Sequence, residues 1–149
     1  MRHLLVLVLA ACAGTASAER GSNPLAAHEW RHRLLILYVP AGEVDALARF
    51  RERVRSRRCG IEDRDLVIGE IAGSRSARLG GDDLRPADAR RLRRMHAVDA
   101  AESVTVLVGK DGDVKMRAPG AADLDAVFER IDAMPMRRRE MDDDGRRCG

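Results

Sequence analysis

Aromatic residues are almost missing from this chain: Trp30, Tyr38, Phe50 and Phe128 are the whole set among 149 residues. Nucleic-acid surfaces cluster cations on one face and interleave them with stacking aromatics, so no nucleic-acid partner is expected. Lysine is scarcer still. Lys110 and Lys115 are the only two; the other basic residues are arginines, spread among 24 acidic ones. The pI of 9.1 therefore reflects a formal excess of only +3. Cysteine occurs three times, at Cys12, Cys59 and Cys148, never as the C-x-x-C pair of dithiol redox sites. Beyond the first residues no apolar run is long enough to cross a bilayer, so no transmembrane segment is expected.

What is present begins with a leader. Arg2 and His3 precede an apolar run, Leu4 to Ala13, and Ala16-Ser17-Ala18 supplies small residues before the polar Glu19-Arg20-Gly21. That order of parts defines a secretory signal peptide over 1–18, which places the mature protein in the periplasm or outside the cell. Leu9-Ala10-Ala11-Cys12 also has the form of a lipobox, with a lipid anchor at Cys12 as the alternative; the short apolar run before Cys12 favours cleavage after Ala18.

The remaining chain divides into a mobile lead-in over 19–29, one domain over 30–141 and a flexible tail over 142–149. Leu34 to Val39 is a continuous apolar run stopped by Pro40, the pattern of a strand buried on both faces. Val44, Leu47, Phe50 and Val54 recur at helical spacing, and that helix is expected to end near Cys59-Gly60, with Gly60 as its cap. Leu66 to Ile71 is a second strand, followed by a loop from Ala72 to Gly81. Pro86 opens a second helix to about Met95. Val104 to Val108 and Val114 to Arg117 are strands joined at Asp111-Gly112. Leu124, Val127, Phe128 and Ile131 mark a last helix, and Met136 to Asp142 adds a further turn or two after Pro135. The order β-α-β-α-β-β-α predicts an α/β fold of thioredoxin-like type, a mixed four-stranded sheet flanked by helices.

Four segments carry a family resemblance: Trp30 to Leu35, Arg64 to Val67, Val108 to Arg117 and Ile131 to Arg137. Gly109-Lys110-Asp111-Gly112 and Met134-Pro135-Met136-Arg137 are the most specific. Together they resemble a bacterial domain family of unknown function, a relative of which occurs in extracellular animal proteins with sushi repeats. The resemblance spans about Trp30 to Met141. It implies a thioredoxin- or peroxiredoxin-like fold and an exported location, and brings no catalytic residues.

Catalysis in that fold needs a cysteine just after the first strand, where a helix N-terminus lowers its pKa. Val39 to Asp45 has none. The Thr-x-x-Cys arrangement is absent too, since Thr105 is the only threonine after the leader, and Glu102-Ser103 stands where redox relatives carry a proline. Catalytic, cofactor and metal residues are therefore predicted as none, and the domain reads as a non-catalytic binding or interaction module for an unknown protein or small molecule. Two cysteines remain after cleavage, and an even count in an oxidising compartment suggests a disulfide between Cys59 and Cys148. The alternatives are two free thiols, or a reactive Cys59 with Cys148 as its resolving partner in a divergent oxidoreductase or peroxidase. A second alternative function is an anion binder using Lys110, Lys115, Arg117 and Arg137, or a soft-metal binder using Met134, Met136 and Met141. His28 and His32, four apart, share a face if helical but lack a third ligand.

Overall fold

The computed structural model describes residues 23–73, 76–144 and 148; the segment expected to be a signal peptide, with the alternative lipobox reading at Cys12, lies outside them. Eleven elements follow in order: β1 (Arg33–Val39), α1 (Val44–Ser56), α2 (Arg58–Asp63), β2 (Leu66–Ala72), β3 (Ser76–Leu79), β4 (Asp82–Asp83), α3 (Pro86–Met95), β5 (Val104–Val108), β6 (Val114–Pro119), α4 (Leu124–Asp132) and α5 (Pro135–Asp144). They build one sheet in the order β4-β3-β2-β1-β5-β6. β1 pairs in parallel with β2 and antiparallel with β5. The β1-α1-α2-β2 connection supplies the crossover that parallel pairing requires.

The sheet has six strands, not four. The first of the extra two, β3, lies in the stretch read as a loop from Ala72 to Gly81, and the second, β4, follows directly after it at Asp82–Asp83. In Ser76-Ala77-Arg78-Leu79 only two residues are apolar, and Gly73, Gly80 and Gly81 punctuate them, so the strand pattern is too short to register by periodicity. Pairing decides it: β3 adds antiparallel to β2, with Ile71 opposite Ala77 and Gly69 opposite Leu79. Ala77 and Leu79 are buried while Ser76 and Arg78 are exposed.

β1 is buried along all seven residues, as its unbroken apolar run requires. Its side chains alternate between two cores. Leu34, Ile36 and Tyr38 pack with Leu79, Ala89, Leu92 and Val106 under α3. Leu35, Leu37 and Val39 pack with Phe50, Ile61, Leu107, Val127 and Ile131 under α1, α2 and α4. Burial of these aliphatic chains, at roughly 1.5–3 kcal/mol each, is the main stabilising term.

Three boundaries differ from expectation. The first helix stops at Ser56 and a second begins at Arg58, so Gly60 lies inside α2 and is not a cap. A Cβ at Gly60 would stand 2.8 Å from the Phe128 ring; glycine lets α2 pass against α4. The lead-in is turn structure from Pro24, and Leu25, 3 % exposed, joins the core under α3. The final helix extends from Pro135 to Asp144, longer than the turn or two expected.

Candidate functional site

The turn that would carry a thioredoxin-type nucleophile joins β1 to α1 and holds Pro40, Ala41, Gly42 and Glu43. The thiols are elsewhere. Cys59 is at an exposed position of α2 and is disulfide-bonded to Cys148, with Cα atoms 5.9 Å apart. Near the end of β1, Arg93 donates to the carbonyls of Val39 at 2.6 Å and Ile71 at 3.2 Å, and to that of Asp99 at 2.8 Å. Its guanidinium thus joins the C-terminal ends of the two parallel strands. Tyr38 Oη and His96 Nδ1 are hydrogen-bonded at 2.5 Å. Burial, then the Arg117 charge, pushes the His96 pKa down to about 4, so its imidazole is neutral at neutral pH. Burial likewise raises the Tyr38 hydroxyl. His96 stands at the C-terminal cap of α3 and is 5 % exposed.

The opposite end of the sheet, where β1 begins and β5 ends, holds a partly buried ion network. Arg33 faces Glu140 and also donates to the Arg64 carbonyl at 3.0 Å. Lys110 pairs with both Glu140 and Asp65 at 2.8 Å. Arg64 pairs with Asp132 at 2.6 Å and lies 4.4 Å over the Phe128 ring. Arg137 reaches Asp63 at 2.5 Å and Asp132 at 3.3 Å. Four cations meet four carboxylates. Burying any of these charges alone would cost several kcal/mol, so their mutual pairing permits this end to close. The Asp132 carboxyl feels burial, which raises its pKa, but hydrogen bonds from Arg64 and Arg137 and their charges win and hold it low.

Beside the network opens a cleft of about 290 Å³. The β5–β6 turn forms one wall through Gly109, Lys110, Asp111 and Lys115; the α4–α5 elbow forms the other through Met134, Pro135 and Met136. Arg33 and Arg130 also line it. Pro135 opens α5, so the chain turns sharply after α4 and presents Met134 and Met136 to the opening.

The four cations proposed as an anion patch do not assemble. Lys110 and Lys115 line the cleft, but Lys115 is held by Asp111 at 2.6 Å and Lys110 by Asp65 and Glu140. Arg137 is 3 % exposed within the network. Arg117 turns away to the His96 carbonyl and to Glu102. Sequence distance conceals these partners, because Lys110 and Glu140 meet only when α5 folds back. Arg130 escaped notice as one arginine among many. It donates through Nε to the Lys115 carbonyl at 3.2 Å and makes no ion pair among the described residues. Met141 does not line the cleft, so the three methionines do not form one ligand set there. No group of three or more His, Cys, Asp or Glu side chains suited to a metal occurs among the described residues, and none of their helices is long and apolar enough to cross a membrane.

The architecture is thus a mixed α/β domain with this cleft at the start of β1; a second cleft of about 270 Å³, lined by Leu37, Val39 and Glu43 among others, lies at the β1–α1 end. The chain belongs to the family described as a domain of unknown function (DUF4174), whose model matches residues 24–140. It is similar to the coiled-coil domain-containing protein 80 of Danio rerio, with 26% identity over 135 residues, covering 80% of this chain and 16% of that protein. The mitochondrial 2-cys peroxiredoxin from Plasmodium falciparum is a structural neighbour at TM-score 0.47 and 9% identity, with 84% of this chain and 86% of that one covered.

Proposed function

We propose that this is an exported, thioredoxin-like domain that binds a small amphipathic molecule and performs no thiol chemistry. The observation that carries the reading is the division between the two ends of the sheet. The β1–α1 turn has no cysteine, and both remaining thiols are consumed in the bond between Cys59 and Cys148. The opposite end offers a cleft of about 290 Å³, near the lower bound of small-molecule sites. Met134, Pro135 and Met136 would cover the ligand's apolar body, and methionine adapts readily to such surfaces. The remaining cations of the cleft are already paired, so Arg130 is the group that would meet one anionic substituent.

A nuclear magnetic resonance screen of aliphatic and aromatic monocarboxylates tests this. The expected result is saturable shifts confined to residues 109–115 and 133–136, weakened by Arg130→Glu. Shifts confined to the β1–α1 turn would move the site to the other end. Peroxide or disulfide turnover that vanishes in Cys59→Ser would replace the reading with thiol catalysis.

A further inference from the structure

We propose that His28 and His32 form a two-ligand site for a divalent transition-metal ion of the zinc class. One helical turn brings them together. The His32 N–H donates to the His28 carbonyl at 2.9 Å, and the Arg31 N–H reaches the same oxygen at 3.0 Å. Residues four apart on such a turn share a face. Their Nδ1 atoms are 3.5 Å apart, while the ring centroids are 5.5 Å apart. The nitrogens are therefore nearer than the rings, and each imidazole presents its Nδ1 to the other.

That spacing suits an ion better than a shared proton. At most one N–H···N hydrogen bond can join two neutral imidazoles, and 3.5 Å lies at the outer limit of such a bond. Two nitrogens bound about 2.1 Å from one tetrahedral ion stand about 3.4 Å apart. The rings need hardly move to accept it. Both histidines are half-buried, so an ion can reach them. No third His, Cys, Asp or Glu joins them among the described residues; water fills the remaining positions, and the ion keeps open coordination. The backbone holds the pair in place, since the N–H of Trp30, between the two histidines, donates to the Lys110 carbonyl at 2.6 Å.

Calorimetry with zinc chloride on untagged protein with its disulfide intact tests the site. The expected result is one ion per chain, with affinity falling at least tenfold in both His28→Ala and His32→Ala and unchanged in Met136→Leu. Absence of binding at sub-millimolar zinc, or wild-type affinity in both histidine variants, would overturn the proposal. Copper(II), which such ligands hold more tightly than zinc, gives a second reading on the unaltered protein. Electron paramagnetic resonance should show two nitrogen ligands; a spectrum with none overturns the site even if a variant misfolds.

Discussion

Arg33 and Glu140 stand 107 residues apart in sequence and meet as a two-pronged pair, Nη1 to Oε2 at 3.0 Å and Nη2 to Oε1 at 3.1 Å. Arg33 is 1 % exposed. This pair fastens α5 to the first residue of β1, and Lys110 completes it from the β5–β6 turn. Loss of Glu140 would leave a buried guanidinium short of charge. We expect Glu140→Gln to cost about 3 kcal/mol, at the low end for breaking a buried pair because Glu140 retains some solvent contact. Urea unfolding of the variant measures it, and a loss under 1 kcal/mol would show that water replaces the carboxylate.

The same group sets an acid limit. Burial pushes the Glu140 pKa up, but hydrogen bonds from Arg33 and Lys110, with their charges, prevail and hold it below the usual value. A carboxyl depressed on folding stabilises above its unfolded pKa, about 4.3 for glutamate, and loses that contribution as pH falls through the folded value. Stability should therefore drop below about pH 4, with a shallower drop in Glu140→Gln. Parallel pH profiles for the two proteins would expose the idea as wrong.

His96 acts in a different window. Its pKa falls from 6.5 to about 4 on folding, so the native state disfavours the proton. The contribution is whole above 6.5 and declines as pH falls toward 4. Proton resonances of His96 should hold still above pH 5. Tyr38→Phe, which strips His96 Nδ1 of its hydroxyl partner, is expected to destabilise by about 1–2 kcal/mol.

Gly60 to Ala normally stabilises a helix by up to about 1 kcal/mol. Here the added methyl meets the Phe128 ring at 2.8 Å. That ring is 9 % exposed and lies beneath the Arg64 guanidinium at 4.4 Å, so it has little room to yield. Overpacking costs about 1–3 kcal/mol and should prevail, giving a net loss near 1 kcal/mol. A raised melting temperature for Gly60→Ala would mean that α2 and α4 separate freely.

The disulfide closes a sequence separation of 89 residues, a loop length for which chain entropy supplies up to about 4–5 kcal/mol. Reduction, or Cys148→Ser, should lower the urea midpoint while leaving the sheet intact by circular dichroism. An unchanged midpoint would mean that α5 stays docked through its ion pairs alone.

Much of this protein was legible before folding. The run Leu34 to Val39 had to be a doubly buried strand, because no polar residue interrupts it. The spacing of Leu124, Val127, Phe128 and Ile131 had to be a helix face. The β1–α1 turn without cysteine was plain from residue type, and the cysteine count suggested, among alternatives, the pairing of Cys59 with Cys148 that the structure contains. Each is a local or compositional property, carried by apolar periodicity or by the chemistry a residue lacks. The β3–β4 hairpin was not legible, because two buried residues between glycines gain strand character only beside β2. Nor was the cleft. Lys110 reads as an exposed cation until Glu140 and Asp65 arrive, and Arg130 reads as one solvent-facing arginine among many. Charge pairing and site assembly depend on distances between segments far apart in the chain, and only tertiary packing sets those distances.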